Sequence, residues 1–440
     1  MMEKLLQMAI KVSDQAEVYS NENTFNSVSF QDSKLHDVDS VFQSGMSLRI
    51  IKNGKLGFAY TRNLINREEL LHNALTSLEG GVEANYHFPR TKELLNLDTF
   101  DPSLENLSSG KMVEECARLC DLFRTQTDGE IFLGSSSYIA QIRLINSEGT
   151  DISFKSGAYD VQGSIIYPGS GSAISRNLLS KRFEKTPDDL INEMIRLYRL
   201  SSKVVEPKGG RMKVLFMPNS LIVLNWRILS GTNSKNVYDK ISPIAGKIDE
   251  KIFDEKITIY DDPLNDKYPG ARSFDDEGVV CHPLTLVEKG VLKSFYYDLN
   301  YGKKLSAEST GHGYRTIIGF GSTDSIALKP GPALAHMRIQ TGNKSFSQLV
   351  KSMDRGIIIE GALGPHSGNI PNGDYSVGVS PGLYVENGEI VGRVKEAMVA
   401  GNVYQTLKQV VDIGDTLYPS HWGAWVPPIL CEDVNVATKN

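Results

Sequence analysis

Three short turns constrain this chain more than any other feature. Asn53-Gly54 separates the alternating segments MSLRII and LGFAYT, Lys289-Gly290 separates LTLVE from VLKSFYYD, and Asn387-Gly388 separates GLYVE from EIVGRV. A two-residue turn of this chemistry accepts positive φ at little cost. Flanked by apolar residues at every second position, it closes an antiparallel hairpin. The similarity of LVEKGVL and YVENGEI reads as two hairpins sharing one turn chemistry, not as an internal repeat. Strand pairing is therefore expected in both halves of the 440 residues.

Helices are signalled between these strands. The opening MMEKLLQMAIKVSDQAE is read as an amphipathic helix with Leu5, Ala9, Val12 and Ala16 on one stripe. NREELLHNALTSLEGG has Asn66 as cap, Glu69 at the capping-box position and Gly80-Gly81 as a stop. SSGKMVEECARLCDLF puts Met112, Cys116, Leu119, Cys120 and Phe123 on one face, and a further helix begins at Thr186-Pro187. Lys208-Gly209-Gly210 is the best boundary. After it come the strand RMKVLFMP, the helix NSLIVLNWRILSG, a run of hairpins with Gly-rich loops, and a helix near 401–411. The expectation is an α+β chain of two domains. Residues 1–207 form a mixed sheet with helices, and 211–440 form a hairpin-rich antiparallel sheet.

The bulk composition excludes some functions. A net charge of −6 with no basic stripe argues against nucleic acid as partner. No apolar run approaches the roughly 18 residues of a spanning helix, and the acidic residues in the first helix argue against a signal peptide. Four cysteines do not make a disulfide framework, so a reducing cytoplasm is the expected compartment.

Chemical motifs are few. A zinc-protease helix needs two histidines on one face and a glutamate beside the first. None of the eight histidines is followed by Glu, and the closest pair, His72 and His87, is far more than a turn apart. Gly378-Val-Ser380-Pro-Gly382 has the spacing of a nucleophile elbow, but Pro381 lacks the N–H that an oxyanion hole needs. Cys116 and Cys120 read as core. HWGAW, 421–425, reads as a packed lid, with a peptide or partner contact as the alternative. Two Gly-rich loops hold polar groups suited to a ligand: His312 and Arg315 in STGHGYRT, and His366, Asn369 and Asp374 in GPHSGNIPNGDYS. An extended peptide added as a strand is the easiest ligand for such a domain.

SFDDEGVVCH, 273–282, is the sharpest test. Asp275, Asp276 and Glu277 are consecutive, so an extended chain would splay them. A Ca²⁺ loop would need alternating oxygens over twelve residues. The segment is therefore read as a solvated turn entering a hairpin.

DDPLNDKYPGARSFDDEG, PLTLVEKGVLKSFYYD, STGHGYR, NGDYSVG with GLYVENGEI, and PPILCEDV occur in the order found in the TldD/PmbA family, which the whole chain resembles. The N-terminal QDSKLHDVDS and SGMSLRIIKNGKLGFAYT are also similar. The resemblance implies a cytoplasmic metalloprotease assembled from two related subunits and acting on unstructured peptides, including peptide-antibiotic precursors and labile antitoxins. Its older label, modulator of DNA gyrase, implies no DNA binding here. The zinc-bearing subunit carries H-E-x-x-x-H on the helix after the first strand of its C-terminal domain. Here the matching positions are Asn225, Trp226 and Ser230. The implied role is that of the PmbA-type, TldE-like subunit. Zinc would then reside in a TldD-like partner, and His312, Arg315, Asn369 and Asp374 would line the peptide cleft. The rival readings are a peptide-binding scaffold homodimer and an independent hydrolase using His312 and His366.

Overall fold

Asn53 and Gly54 both adopt positive φ, 51° and 69°, as a type I′ turn requires. They join β2 (Lys34–Lys52) to β3 (Lys55–Thr61) with Lys52 opposite Lys55. The computed structural model describes residues 1–316 and 324–439. With β1 (Gln15–Gln31), β4 (Val82–Glu83), β5 (Glu130–Asn146), β6 (Asp151–Ile166) and β7 (Ala173–Ser180), these strands form a seven-stranded sheet in the order β4-β3-β2-β1-β5-β6-β7, antiparallel throughout.

Strand periodicity divides the two faces of this sheet between core and site. Ala16, Val18, Val28 and Phe30 of β1 are buried among helices. At one end these are α1 (Met2–Ala9) and α2 (Arg67–Thr76), and at the other α3 (Ser109–Arg124) and α4 (Asp188–Leu200). The intervening residues Glu17, Tyr19, Asn21, Asn23 and Phe25 point to the opposite face. Asn66 caps α2 by accepting from the N–H of Glu69 at 3.1 Å, and the expected face of α3 is buried in full. The N-terminal helix is shorter than its sequence pattern. It stops at Ala9, and Val12 is exposed because Gln15 onward pairs with Ile51 and its neighbours. Pairing on both edges of β1 outweighs local helical periodicity.

The second half is built on a larger sheet. β8 (Val204–Val205) and β9 (Gly210–Phe216) belong to it. Its order runs Ala362–Leu363, Asp374–Val379, Ala397–Asn402, Ile429–Thr438, β9, Arg355–Ile359, Gly382–Glu386, Glu389–Val394 and β8, with Val410–Ile413 also pairing Ile429–Thr438. Hairpins dominate, as expected. Two pairings are nevertheless parallel, β9 with Arg355–Ile359 and β8 with Glu389–Val394, so the sheet is mixed. The helix expected near 401–411 is a single turn, Val403–Thr406. A smaller six-stranded sheet includes Ile259–Asp261, Met337–Ile339 and Trp425–Val426.

After β9 the chain forms α5 (Ile222–Thr232), whose Ile222, Leu224, Ile228 and Leu229 sit in the second half's core. A separate cluster joins Phe123, Leu133 and Met194 to Leu215, Ile358 and Leu383 of the large sheet. The two halves thus share apolar packing. Cys116, Cys120, Cys281 and Cys431 are all buried, and burial pushes the first two thiols up to about 12 and about 11. Since the thiolate is the nucleophile, all four are expected to resist a thiol reagent such as DTNB in the native protein and to react together on unfolding. Prompt native labelling of any one would contradict this packing.

Candidate functional site

The 273–280 turn is not solvated. Asp275, Asp276 and Glu277 are 0%, 5% and 1% exposed, which overturns the expectation from their sequence. Each carboxylate turns to a different set of donors. Asp275 accepts from the N–H groups of Glu277 and Val279, both at 2.9 Å, and of Gly313 at 2.8 Å. Asp276 accepts from Arg272 at 2.7 Å and from the N–H of Arg315 at 2.8 Å. Glu277 accepts from Arg49 at 3.1 Å and from the N–H of Leu299 at 2.7 Å. Gly278 lets the chain reverse at φ 80°.

Arg49 closes this network from the other half. Its Nε and Nη2 donate to the two oxygens of Glu17, both at 2.8 Å, while Nη1 reaches Glu277. Burial raises Glu277 and Asp275 above the ordinary carboxylate range, and for Asp275 the charge of Glu277 adds to it. Burial also opposes ionisation of Asp276, but Arg272 and the N–H of Arg315 outweigh it and hold that carboxyl low. One buried layer thus holds carboxyls pushed in opposite directions, Asp276 down by its cation and Asp275 and Glu277 up by burial.

In front of the layer lies a cavity of about 890 Å³ between the outward face of β1 and loops of the second half. Tyr19, Asn21 and Phe25 form one wall, and Arg272, Arg315 and His336 the other, with Trp422 at one side. A second cavity of about 480 Å³ lies between β6–β7 and the large sheet, lined by Asp160, Arg176, Glu360 and His421. Arg176 pairs with Glu360 at 2.6 Å and Glu193 at 2.8 Å. Burial pushes the Asp160 carboxyl up to about 6.

The segment 421–423 stands between the two cavities and packs on α5. Trp422 adopts φ 59° and meets Trp226 edge-on, ring centroids 5.4 Å apart. A bulky residue at positive φ is a strained conformation held by its surroundings. Two turns of α5 therefore present Asn225, Trp226 and Ser230. Asn225 is 2% exposed with its Oδ1 lacking a hydrogen-bond partner, and Ser230 Oγ accepts from Asn236 at 3.0 Å. These side chains do not fit zinc: no imidazole or carboxylate is among them, and an indole occupies the place of the base. Among the described residues, no three His, Cys, Asp or Glu side chains converge to hold a metal ion.

The four sequence-derived cleft candidates separate into two pairs. Arg315 lines the larger cavity. His312, 0% exposed, lies behind it, with Nδ1 donating to the carbonyl of Thr310 at 2.8 Å and Nε2 3.2 Å from Asp261. Asn369 and Asp374 are exposed on a different loop, which touches the smaller cavity through Leu363 and Pro365. That loop is held by Arg227 of α5, which donates to the carbonyls of Pro365, Ser367 and Asp374 at 2.7–2.9 Å. Burial lowers this guanidinium to about 10, and the Asp374 carboxylate offsets it only in part. His312 has both ring nitrogens engaged by protein groups, and His366 lies on the exposed loop. Sequence reasoning missed Glu17, Arg49, Arg227 and Arg272. Of these, Arg272, four residues before Asp276, carried a local signal.

A model of the PmbA/TldA metallopeptidase C-terminal domain matches residues 209–438, and a model of domain 1 of the same metallopeptidases matches residues 16–77. An uncharacterised protein of Methanocaldococcus jannaschii is 26% identical over 424 residues, covering 94% of this chain and 95% of its own. A metalloprotease of Methanothermobacter thermautotrophicus is 26% identical over 417 residues, covering 91% and 87%. The crystal structure of TldE from Thermococcus kodakarensis shares the fold, with TM-score 0.89, 22% identity and 99% of each chain covered.

Two stability measurements follow from the buried charges. Arg49→Met leaves Glu277 without a cation and Glu17 with only Arg315, 3.5 Å away, and is expected to cost about 3–5 kcal/mol in urea unfolding; a loss under 1 kcal/mol would contradict the network. Asp160 retains its proton longer when folded. Its contribution is therefore complete below about pH 4 and lost as pH rises through about 6. Asp160→Asn is expected to be neutral at pH 4 and stabilising by about 1–3 kcal/mol at pH 8. The opposite trend would mean that a cation pairs with Asp160.

Proposed function

The chain belongs to the PmbA/TldD metallopeptidase family, and we propose that it is the subunit without zinc in a peptidase completed by a zinc-bearing, TldD-like partner. The observation that carries this reading is the chemistry of α5. Asn225, Trp226 and Ser230 stand where a metal-binding helix needs imidazole, carboxylate and imidazole. The site is filled by packing of Trp226 on Trp422, so the helix acts as a scaffold for the loops around it.

In this reading the chain supplies surface for an unstructured peptide while the partner supplies the metal. Arg315 faces the larger cavity, and His312 and Asp261 hold the loop behind it. Arg227 orders the loop bearing Asn369 and Asp374 beside Ala362–Leu363, the end strand of the large sheet. An end strand presents unpaired backbone groups to which an extended peptide adds. No helix among the described residues is long and apolar enough to cross a membrane; cytoplasmic action is part of the proposal.

The test is cleavage of a fluorogenic unstructured peptide. The chain alone is expected to be inactive, and the chain co-expressed with a partner carrying H-E-x-x-x-H is expected to give chelator-sensitive cleavage. Cleavage by the chain alone would overturn the reading, and a partner whose activity is indifferent to this chain would favour a scaffold homodimer. Arg227→Ala is expected to lower the activity of the pair at least tenfold by releasing the 364–374 loop, with KM rising more than kcat falls.

A further inference from the structure

The larger cavity has on its wall one arginine, Arg315, whose ion pair is long and shared with another cation. Three arginines line it. Arg62 pairs with Asp324 at 2.6 Å and Arg272 with Asp276 at 2.7 Å. For Arg315 the nearest carboxylate is Glu17, 3.5 Å away and already gripped on both oxygens by Arg49. Arg315 is 4% exposed; among the described residues its Nη1 has a good acceptor, the carbonyl of Leu328 at 2.6 Å, while Nε and Nη2 have none. Burial and the nearby Arg49 charge lower its affinity for its own proton, and the carboxylates of Glu17 and Asp276 offset them only in part.

Further polar atoms at this wall are unmet. Among the described residues Arg272 Nε, Asn21 Oδ1 and His336 Nδ1 are buried without hydrogen-bond partners; of the three, Arg272 Nε is the donor that an anion could meet, the other two being acceptors. Such groups are costly when nothing meets them. The guanidiniums are also held in place. Arg315 lies 4.2 Å over the ring of Tyr19, and Arg272 lies 5.2 Å from the rings of both Phe154 and Tyr314. At the rim, Phe25 and Tyr138 are 39% and 37% exposed. A buried, stacked cation with two unmet N–H-bearing nitrogens inside and aromatic surface at the mouth suit an anion attached to an apolar body.

We propose that the larger cavity binds the free C-terminal carboxylate of a short peptide, with Arg315 and Arg272 supplying the positive wall and Phe25 and Tyr138 packing the preceding side chain. The choice of a peptide over another carboxylic acid rests on the function proposed above; the recognition of the carboxylate does not. The volume, about 890 Å³, admits a few terminal residues and not a folded domain.

The experiment is fluorescence polarisation on the isolated full chain with an N-terminally labelled flexible pentapeptide ending in phenylalanine, as free acid and as C-terminal amide. The free acid is expected to bind at least tenfold more tightly. Arg315→Gln is expected to bring it to the level of the amide. Asn21→Asp, isosteric and adding a negative charge to the wall, should do the same and serves if Arg315→Gln does not fold. Equal binding of acid and amide, absence of binding, or a preference that survives Asn21→Asp would overturn the proposal. Hippurate is included as a small competing acid. Weak competition supports a peptide, whereas displacement at concentrations equal to the peptide's would assign the site to small acids and overturn the peptide assignment. Because binding is read without a partner, failure of the cleavage experiment leaves this result standing.

Discussion

The contact on which the rest depends is the fork of Arg49 on Glu17, with its third nitrogen on Glu277. It ties two adjacent strands of the first sheet to a loop 228 residues further along the chain. A buried ion pair is weak evidence for added stability, because desolvation consumes most of the attraction. Its effect here is on geometry. Displacing one half against the other would break the Arg49–Glu277 contact and leave Glu277, 1% exposed, buried without its cation. The outward face of β1 is thereby held against the Arg272–Arg315 wall, and the cavity between them is defined.

The same division of strand faces explains why the site is polar while the core is not. β1 is buried on its helix side by ordinary apolar packing. Its alternate residues, Glu17 through Phe25, are free to serve charge layer, cavity wall and rim in turn. On the other side α5 is buried on nearly all its faces, as expected of a helix inside a large domain. Its polar positions turn to loops: Arg227 holds 364–374, Ser230 meets Asn236, and Trp226 meets Trp422.

Much of the fold was legible because its signals are local. Asn53-Gly54, Lys289-Gly290 and Asn387-Gly388 close hairpins where their chemistry demands, and Asn66 and the α3 stripe behave as read. The failures share one cause. Gln15 onward became strand, and Asp275–Glu277 became buried, because partners distant in sequence outweighed the local pattern. The start of QAEVYSNENTF reads as the end of a helix, which hides the strand face that the cavity uses, and nothing near SFDDEG announces Arg49. The cleft candidates were chosen from loop chemistry alone. Of the four, Arg315 lines the larger cavity, while Asn369 and Asp374 lie on another loop.

The proposed role requires that α5 of this chain hold no catalytic metal. The zinc content of the purified full chain, after equilibration with micromolar zinc and removal of the unbound ion, tests this. Far less than one zinc per chain is expected, unchanged when Ser230 is replaced by alanine. One tightly held zinc per chain would contradict it and would mean that ligands from separate segments assemble a site that the helix does not provide.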